Sequence, residues 1–251
     1  MSLTPRYRGN RLTLMSRTHW IVPTVAVALI PALALVSQAQ QPQQAPAPGR
    51  GTAETAVRPP LFFREEWKQP PYTGQLTDEN RRITPAAVTN PNLEIQLYGA
   101  ASHNIEVAEH EGRHDLWTGM APSPVAVTLR DKTNYFNLTG LARLRWITRT
   151  NALHALHPVL RLADGTLIAG SHVDSNEGEF LESEIAFDNQ RWFKLDPQKV
   201  VTGTEVNHPD FSRVDEIGYA DLMPGAGHGI AGSSNMSAIE LYAKAVPRTA
   251  R

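Results

Sequence analysis

Residues 143–150 read "RLRWITRT", and the alternation inside them decides the fold class. Leu144 and Trp146 fall on one side of an extended chain, and Arg143, Arg145 and Arg149 on the other. Successive side chains of a strand point to opposite faces, so this is a strand with one face on a core and one on water. The period returns along the chain. "NLEIQLYG" aligns Leu93, Ile95 and Leu97, and "VAVTL" aligns Val125, Val127 and Leu129. "LHPVLRLADGTLIAG" reads as a hairpin turning at Asp164-Gly165, a pair favoured where the turn needs positive φ. "FLESEIAF", "DEIGYADL" and "SAIELYA" supply further strands, while no long helical period appears. With 19 prolines and 17 glycines as punctuation, the pattern is that of an all-β sandwich.

The ends of the chain are of different character. Arg6, Arg8, Arg11 and Arg17 precede the apolar run "WIVPTVAVALIPALALV", which Ser37-Gln38-Ala39 follows. A basic start, an apolar run and small residues two apart at a cleavage point are the parts of a secretory signal peptide, expected over residues 1–39. Met15 opens a better proportioned version of it. The alternative is an uncleaved membrane anchor. The run is short for a span of about 20 residues, and Pro23 and Pro31 interrupt it. Cleavage would leave no stable membrane anchor and a secreted or periplasmic protein. Residues 40–60, "QQPQQAPAPGRGTAETAVRPP", hold too little apolar area to fold and read as a disordered linker. One β-sandwich domain is expected over residues 61–247.

Composition removes several functions. The 251 residues carry a formal net charge of -1, which is not the basic balance of a nucleic-acid binder. The absence of cysteine excludes thiolate catalysis and cysteine-ligated zinc. It also leaves no residue for a lipoprotein anchor after the apolar run.

Three stretches carry a resemblance. "FNLTGLARLRWITRT" looks like the opening strands of galactose-binding-like domains, and "RWFKLDPQKVV" like their tryptophan-containing stretch before a short turn. "VDEIGYADLMPGAGHGIAGSSNMSAIELYAK" is similar to their finish. From about Tyr135 to Lys244 the chain thus resembles the jelly rolls of family 11 carbohydrate-binding modules and complex I intermediate-associated proteins. The resemblance implies a two-sheet jelly-roll sandwich whose concave face holds a glycan. It does not imply an enzyme, because such folds host many roles.

"VAEHEGRH", Val107 to His114, contains the H-E-x-x-H spacing of zinc proteases. That chemistry needs His110 and His114 one helical turn apart, with Glu111 as general base. Gly112 is poor in a helix, strand-like residues flank the motif, and a third ligand is missing at the family's spacing. The better reading is a strand with Ile105 and Val107 inward, a turn around Gly112, and "DLWTGM" as the return. His110, His114 and Asp115 then sit at a loop tip, where metal binding stays open but is not required.

Among ligand-binding candidates, Arg143, Arg145, Arg149, His157 and Arg161 read as one non-core strip on adjacent strands. An arginine fork there would grip the carboxylate of an acidic sugar. The competing reading pairs these cations with Glu182 and Glu184 across strands. Trp117 and Trp192 lie near turns as candidate aromatic platforms, whereas Trp146 shares the face of Leu144 and belongs to the core. "MPGAGHGIAGSSN" is a glycine-rich loop without the frame of a phosphate site, with His228 in it and Asp221 at its base. "HVDSNEGE" brings Asp174, Glu177 and Glu179 together as acidic oxygen donors, but not at a calcium-loop spacing.

The chain therefore reads as an exported carbohydrate-binding or accessory module without its own catalysis. Trp117, Arg145, His157, Arg161, Trp192 and His228 are its candidate ligand residues, a glycan or other extracellular ligand its partner, and no cofactor is called for. The rival is a glycan-active hydrolase or lyase, followed by a metal-dependent hydrolase built on His110.

Overall fold

The computed structural model describes residues 57–228 and 232–248. The expected signal peptide and most of the linker lie outside the described residues. Strands are labelled in chain order. One six-stranded sheet holds β1 (Leu61–Glu66), β3 (Glu106–His110), β4 (Arg113–Trp117), β7 (Arg143–Asn151), β10 (Leu181–Ala186) and β14 (Ser233–Tyr242). A nine-stranded sheet holds β2 (Leu93–Tyr98), β5 (Val125–Asp131), β6 (Asn134–Asn137), β8 (Leu156–Leu162) and β9 (Leu167–Gly170). It is completed by β11 (Trp192–Leu195), β12 (Thr202–Glu205), β13 (Val214–Asp221) and β15 (Lys244–Pro247). The single described α-helix, α1 (Asp78–Arg81), is four residues long. The fold is an all-β, two-sheet antiparallel sandwich of jelly-roll type.

The order across the first sheet is β10-β7-β14-β4-β3. β14 is shared: Asn235 and Met236 pair with β4, and Ala238 to Tyr242 pair with β1. Two short strands thus occupy one edge of a long one. The second sheet runs β12-β11-β9-β8-β13-β5-β2.

Between the sheets lies one apolar layer. Leu116, Leu144, Trp146, Ile239 and Leu241 from the first sheet meet Val127, Leu129, Leu160, Ile217 and Tyr219 from the second. Burying each such side chain contributes about 1.5–3 kcal/mol relative to leaving it in water. The strand β7 has the expected alternation, every second residue buried. Trp146 is 1% exposed, and its indole N–H donates to Asp174. That bond satisfies the one polar atom the ring brings inside. It also gives Asp174 a structural partner.

The far end of the core is polar. The Asp221 Oδ2 accepts from His154 Nδ1 at 2.7 Å, Thr118 Oγ1 at 2.9 Å and Ser234 Oγ at 2.6 Å. Asp221 is 0% exposed, so these bonds replace the water it has lost.

One expectation is corrected here. Arg143, Arg145 and Arg149 do not share a strip with His157 and Arg161. β7 lies in the six-stranded sheet between β10 and β14, while β8 lies in the nine-stranded sheet between β9 and β13. Residues 152–155 carry the chain from one sheet to the other, with Ala152 at φ 55°. Alternation tells which way each side chain points relative to the core. It does not tell which of two sheets the strand joins.

Candidate functional site

The hairpin of β3 and β4 is the scaffold of the site. Glu111 and Gly112 have φ of 54° and 75°, the two positive values of a tight hairpin turn whose twist matches its strands. His110 pairs with Arg113, and Glu109 pairs with His114. The two histidines thus stand on opposite strands, not on one helical face, so the zinc-protease geometry is absent. Among the described residues no group of three or more His, Cys, Asp and Glu side chains is placed to hold a metal ion.

A second wall arches over this hairpin. The chain leaves β1 at Trp67, which bridges to Val88, and the residues between them form an excursion. Its return is tied down where Arg82 bridges to Glu106 and the Ile83 amide donates to the Ile105 carbonyl at 2.8 Å. Inside the arch, Gln69 Nε2 donates to the Asn80 carbonyl at 2.7 Å. Between arch and hairpin lies a cavity of about 480 Å³. Gln69, Tyr72, Leu76 and Arg81 line it from the arch, and Glu109, His110, His114 and Trp117 from the hairpin, together with His228.

Trp117 is held as a platform. A Cβ built on Gly119 would lie 2.1 Å from Cζ2 and 2.3 Å from Cε2 of the indole, so the ring rests on bare backbone. Only glycine permits that approach. His228 approaches the same ring with centroids 5.5 Å apart and planes at 38°. Tyr72, 45% exposed, adds a second aromatic side chain to the cavity. Flat aromatic surface beside a few convergent polar groups is the make-up of a small-ligand site of this size.

The histidines are positioned by carboxylates. His110 Nδ1 donates to Asp115 Oδ2 at 2.7 Å, and Asp115, 0% exposed, also accepts from Asn235 Nδ2 at 2.6 Å. This fixes the His110 tautomer and leaves Nε2 as the free ring nitrogen. His228 Nε2 donates to Asp78 Oδ2 at 3.0 Å. Opposite Trp117 in the hairpin register, Glu106 is 2% exposed and its Oε2 has no hydrogen-bond partner. Burial, with Asp78 nearby, raises its affinity for a proton above the usual carboxylate value, against the pull of His228, Arg81 and Arg82.

No family model and no curated protein matches this chain. Solved structures similar to it include the family 11 carbohydrate-binding module from Clostridium thermocellum in complex with a β-1,3-1,4-mixed-linked tetrasaccharide. That pair is 10% identical with a TM-score of 0.39, over 72% of this chain and 95% of the module. The same family's module from the cellulosomal cellulase Lic26A-Cel5E of that organism gives 9% and 0.37, over 62% and 85%. An exo-β-agarase gives 13% and 0.35, over 68% of this chain and 24% of the agarase. The sandwich rests on the strand pairing above, not on these likenesses.

Of the six residues singled out from sequence, the cavity brings together Trp117 and His228. The other four stand elsewhere. Arg145 reaches Glu182 at 3.2 Å and Glu240 at 2.5 Å on the outer face of the first sheet, in the cross-strand arrangement weighed against a ligand role. His157 Nδ1 donates to the Gly170 carbonyl at 3.2 Å, and burial lowers its affinity for a proton. Arg161 donates to Tyr98 Oη at 2.9 Å, and Tyr98 in turn donates to Glu216. Trp192 is not a displayed platform: it is 2% exposed, and its indole N–H donates to the Phe187 carbonyl at 3.1 Å.

Gln69, Tyr72, Leu76 and Arg81 escaped the reading of the sequence. They lie in a stretch without period. The signal was Tyr72 and Leu76 set apolar among prolines and glycine in "QPPYTGQLTDENRR", where a plain solvated loop has little use for either.

Proposed function

We propose that this domain binds a glycan, held in the cavity between the β3–β4 hairpin and the arch of residues 69–81. The observation that carries the reading is the Trp117 indole, backed by Gly119 and turned into a cavity with Tyr72, Arg81 and imidazoles around it. An aromatic plane contributes apolar contact to one face of a sugar ring, and the polar groups around it select hydroxyl positions. The role is that of an exported binding or accessory module without turnover. The basic and apolar start of the chain, ending in Ser37-Gln38-Ala39, supports export to the periplasm or the medium. The mature chain is then expected to begin near Gln40, which amino-terminal sequencing of exported protein tests.

A glycan array probed with wild type and Trp117→Ala tests binding. Wild type should bind a defined set of oligosaccharides, and the variant should lose them. Equal binding by both would remove the cavity as the site. A glycan-active lyase or hydrolase is the second reading. It is favoured by the buried Asp115, which orients His110 as a general base is oriented. A turnover assay on the bound sugars separates the two: product formation that His110→Ala abolishes selects the enzyme.

A further inference from the structure

We infer that the glycan held in this cavity is acidic, carrying uronate carboxylates, with Arg81 as its anchor. This rests on the reading of the cavity as a glycan site.

Among the described arginines, Arg81, Arg82, Arg113, Arg149 and Arg213 reach no carboxylate within salt-bridge distance, and of these Arg81 lines the cavity; the others are paired. Arg64, Arg130, Arg145, Arg161, Arg191 and Arg248 each reach a carboxylate within salt-bridge distance. Arg81 lines the cavity and reaches none among the described residues, and its Nε is buried without a hydrogen-bond partner. A donor left that way costs about 1–3 kcal/mol in a folded protein. A guanidinium is answered best by a planar carboxylate, which takes two of its N–H groups at once. The hydroxyls of a neutral sugar make the weaker match.

The remaining charges around Arg81 come in opposed pairs. His110 is bonded to Asp115, His228 is bonded to Asp78, and His114 stands opposite Glu109 in the hairpin register. Glu106 from β3 and Arg82 from the end of the arch complete the set. Arg81 is thus the arginine of the cavity lining whose side chain meets no carboxylate within salt-bridge distance among the described residues.

The experiment uses the exported chain and two sets of probes. Oligogalacturonate, oligoalginate and oligoglucuronate form one set, and cello-, xylo- and agaro-oligosaccharides the other. Titration calorimetry compares the two sets. Expected are binding within the acidic set and a loss of about tenfold or more in Arg81→Gln. Arg81→Lys keeps the charge without the fork and should recover part of the affinity, and melting curves establish that both variants fold. Preference for neutral oligosaccharides, lost in Trp117→Ala, overturns the acidic ligand and leaves the glycan site standing. Binding to neither set overturns both. Unchanged uronate affinity in Arg81→Gln overturns Arg81 as the anchor.

Discussion

Gly119→Ala should disable the site while leaving the fold in place. The added methyl would sit 2.1 Å from Cζ2, 2.3 Å from Cε2 and 2.8 Å from Nε1 of Trp117. Carbon atoms in contact rest at about 3.5–4.0 Å, so one partner must withdraw by more than about 1 Å. The backbone cannot do so easily. The Gly119 carbonyl accepts from the Gly227 amide at 2.8 Å, and the neighbouring Ala121 carbonyl accepts from the Gly225 amide at 2.7 Å. A Cβ on Gly225 would already lie 2.3 Å from the Gly119 carbonyl oxygen, which indicates how closely these two backbones pack. The half-buried indole is the part free to move. Overpacking of this kind costs about 1–3 kcal/mol of stability, and an exposed flank places it at the low end. Displacing the platform should weaken ligand binding by about 1–2 kcal/mol, a factor of about 5–30. Calorimetric titration and melting curves on wild type, Gly119→Ala and Trp117→Ala read both quantities. If Gly119→Ala binds as tightly as wild type, the indole is not the platform and the reasoning fails.

Other perturbations follow from the same contacts. Trp146→Phe removes the donor to Asp174 and leaves a buried carboxylate short of a partner, a loss of about 1–3 kcal/mol by urea denaturation; an unchanged midpoint would contradict it. At the hairpin turn, Gly112→Val should cost about 1–2 kcal/mol purely through its positive φ, because nothing lies within 4 Å of the new Cβ. Glu111→Asn should raise the melting temperature, since asparagine accepts that conformation more readily; a fall would mean that Glu111 makes a contact worth more than its strain. Asp174 is held below the usual carboxylate range, where burial is outweighed by hydrogen bonds from His172 and Trp146. The unfolded chain takes up that proton first, so the stabilisation is complete above about pH 4 and is lost as pH falls further. Asp174→Asn should accordingly flatten the acid limb of melting temperature against pH, and an unaltered limb would show that other carboxylates set it.

The sandwich was legible wherever one strand face met the core. Residues 143–150 and 125–129 announce their inner faces by alternation, and Glu111-Gly112 announces a turn through the glycine and its strand-like flanks. Sheet membership was not legible. β7 and β8 are consecutive, yet four residues carry the chain across the core, and nothing in their alternation distinguishes a crossing from a hairpin. The partners of Arg145 show the same limit. Glu182 lies on the expected neighbouring strand, but Glu240 comes from β14, 95 residues away. Trp192 was misjudged because proximity to a turn says little about a ring large enough to reach the core from β11. Half of the cavity was hidden for a different reason: the arch has no period, so only three-dimensional closure brings Tyr72 and Arg81 to Trp117.

The central claim is that the ligand occupies the cavity at Trp117. Its most direct measurement is the indole N–H resonance of each tryptophan during titration with the tightest-binding array glycan. The account predicts that the Trp117 signal shifts in saturable fashion while those of Trp146 and Trp192, sealed in the core, stay in place. A silent Trp117 with saturable shifts elsewhere would put the ligand on another face and contradict it.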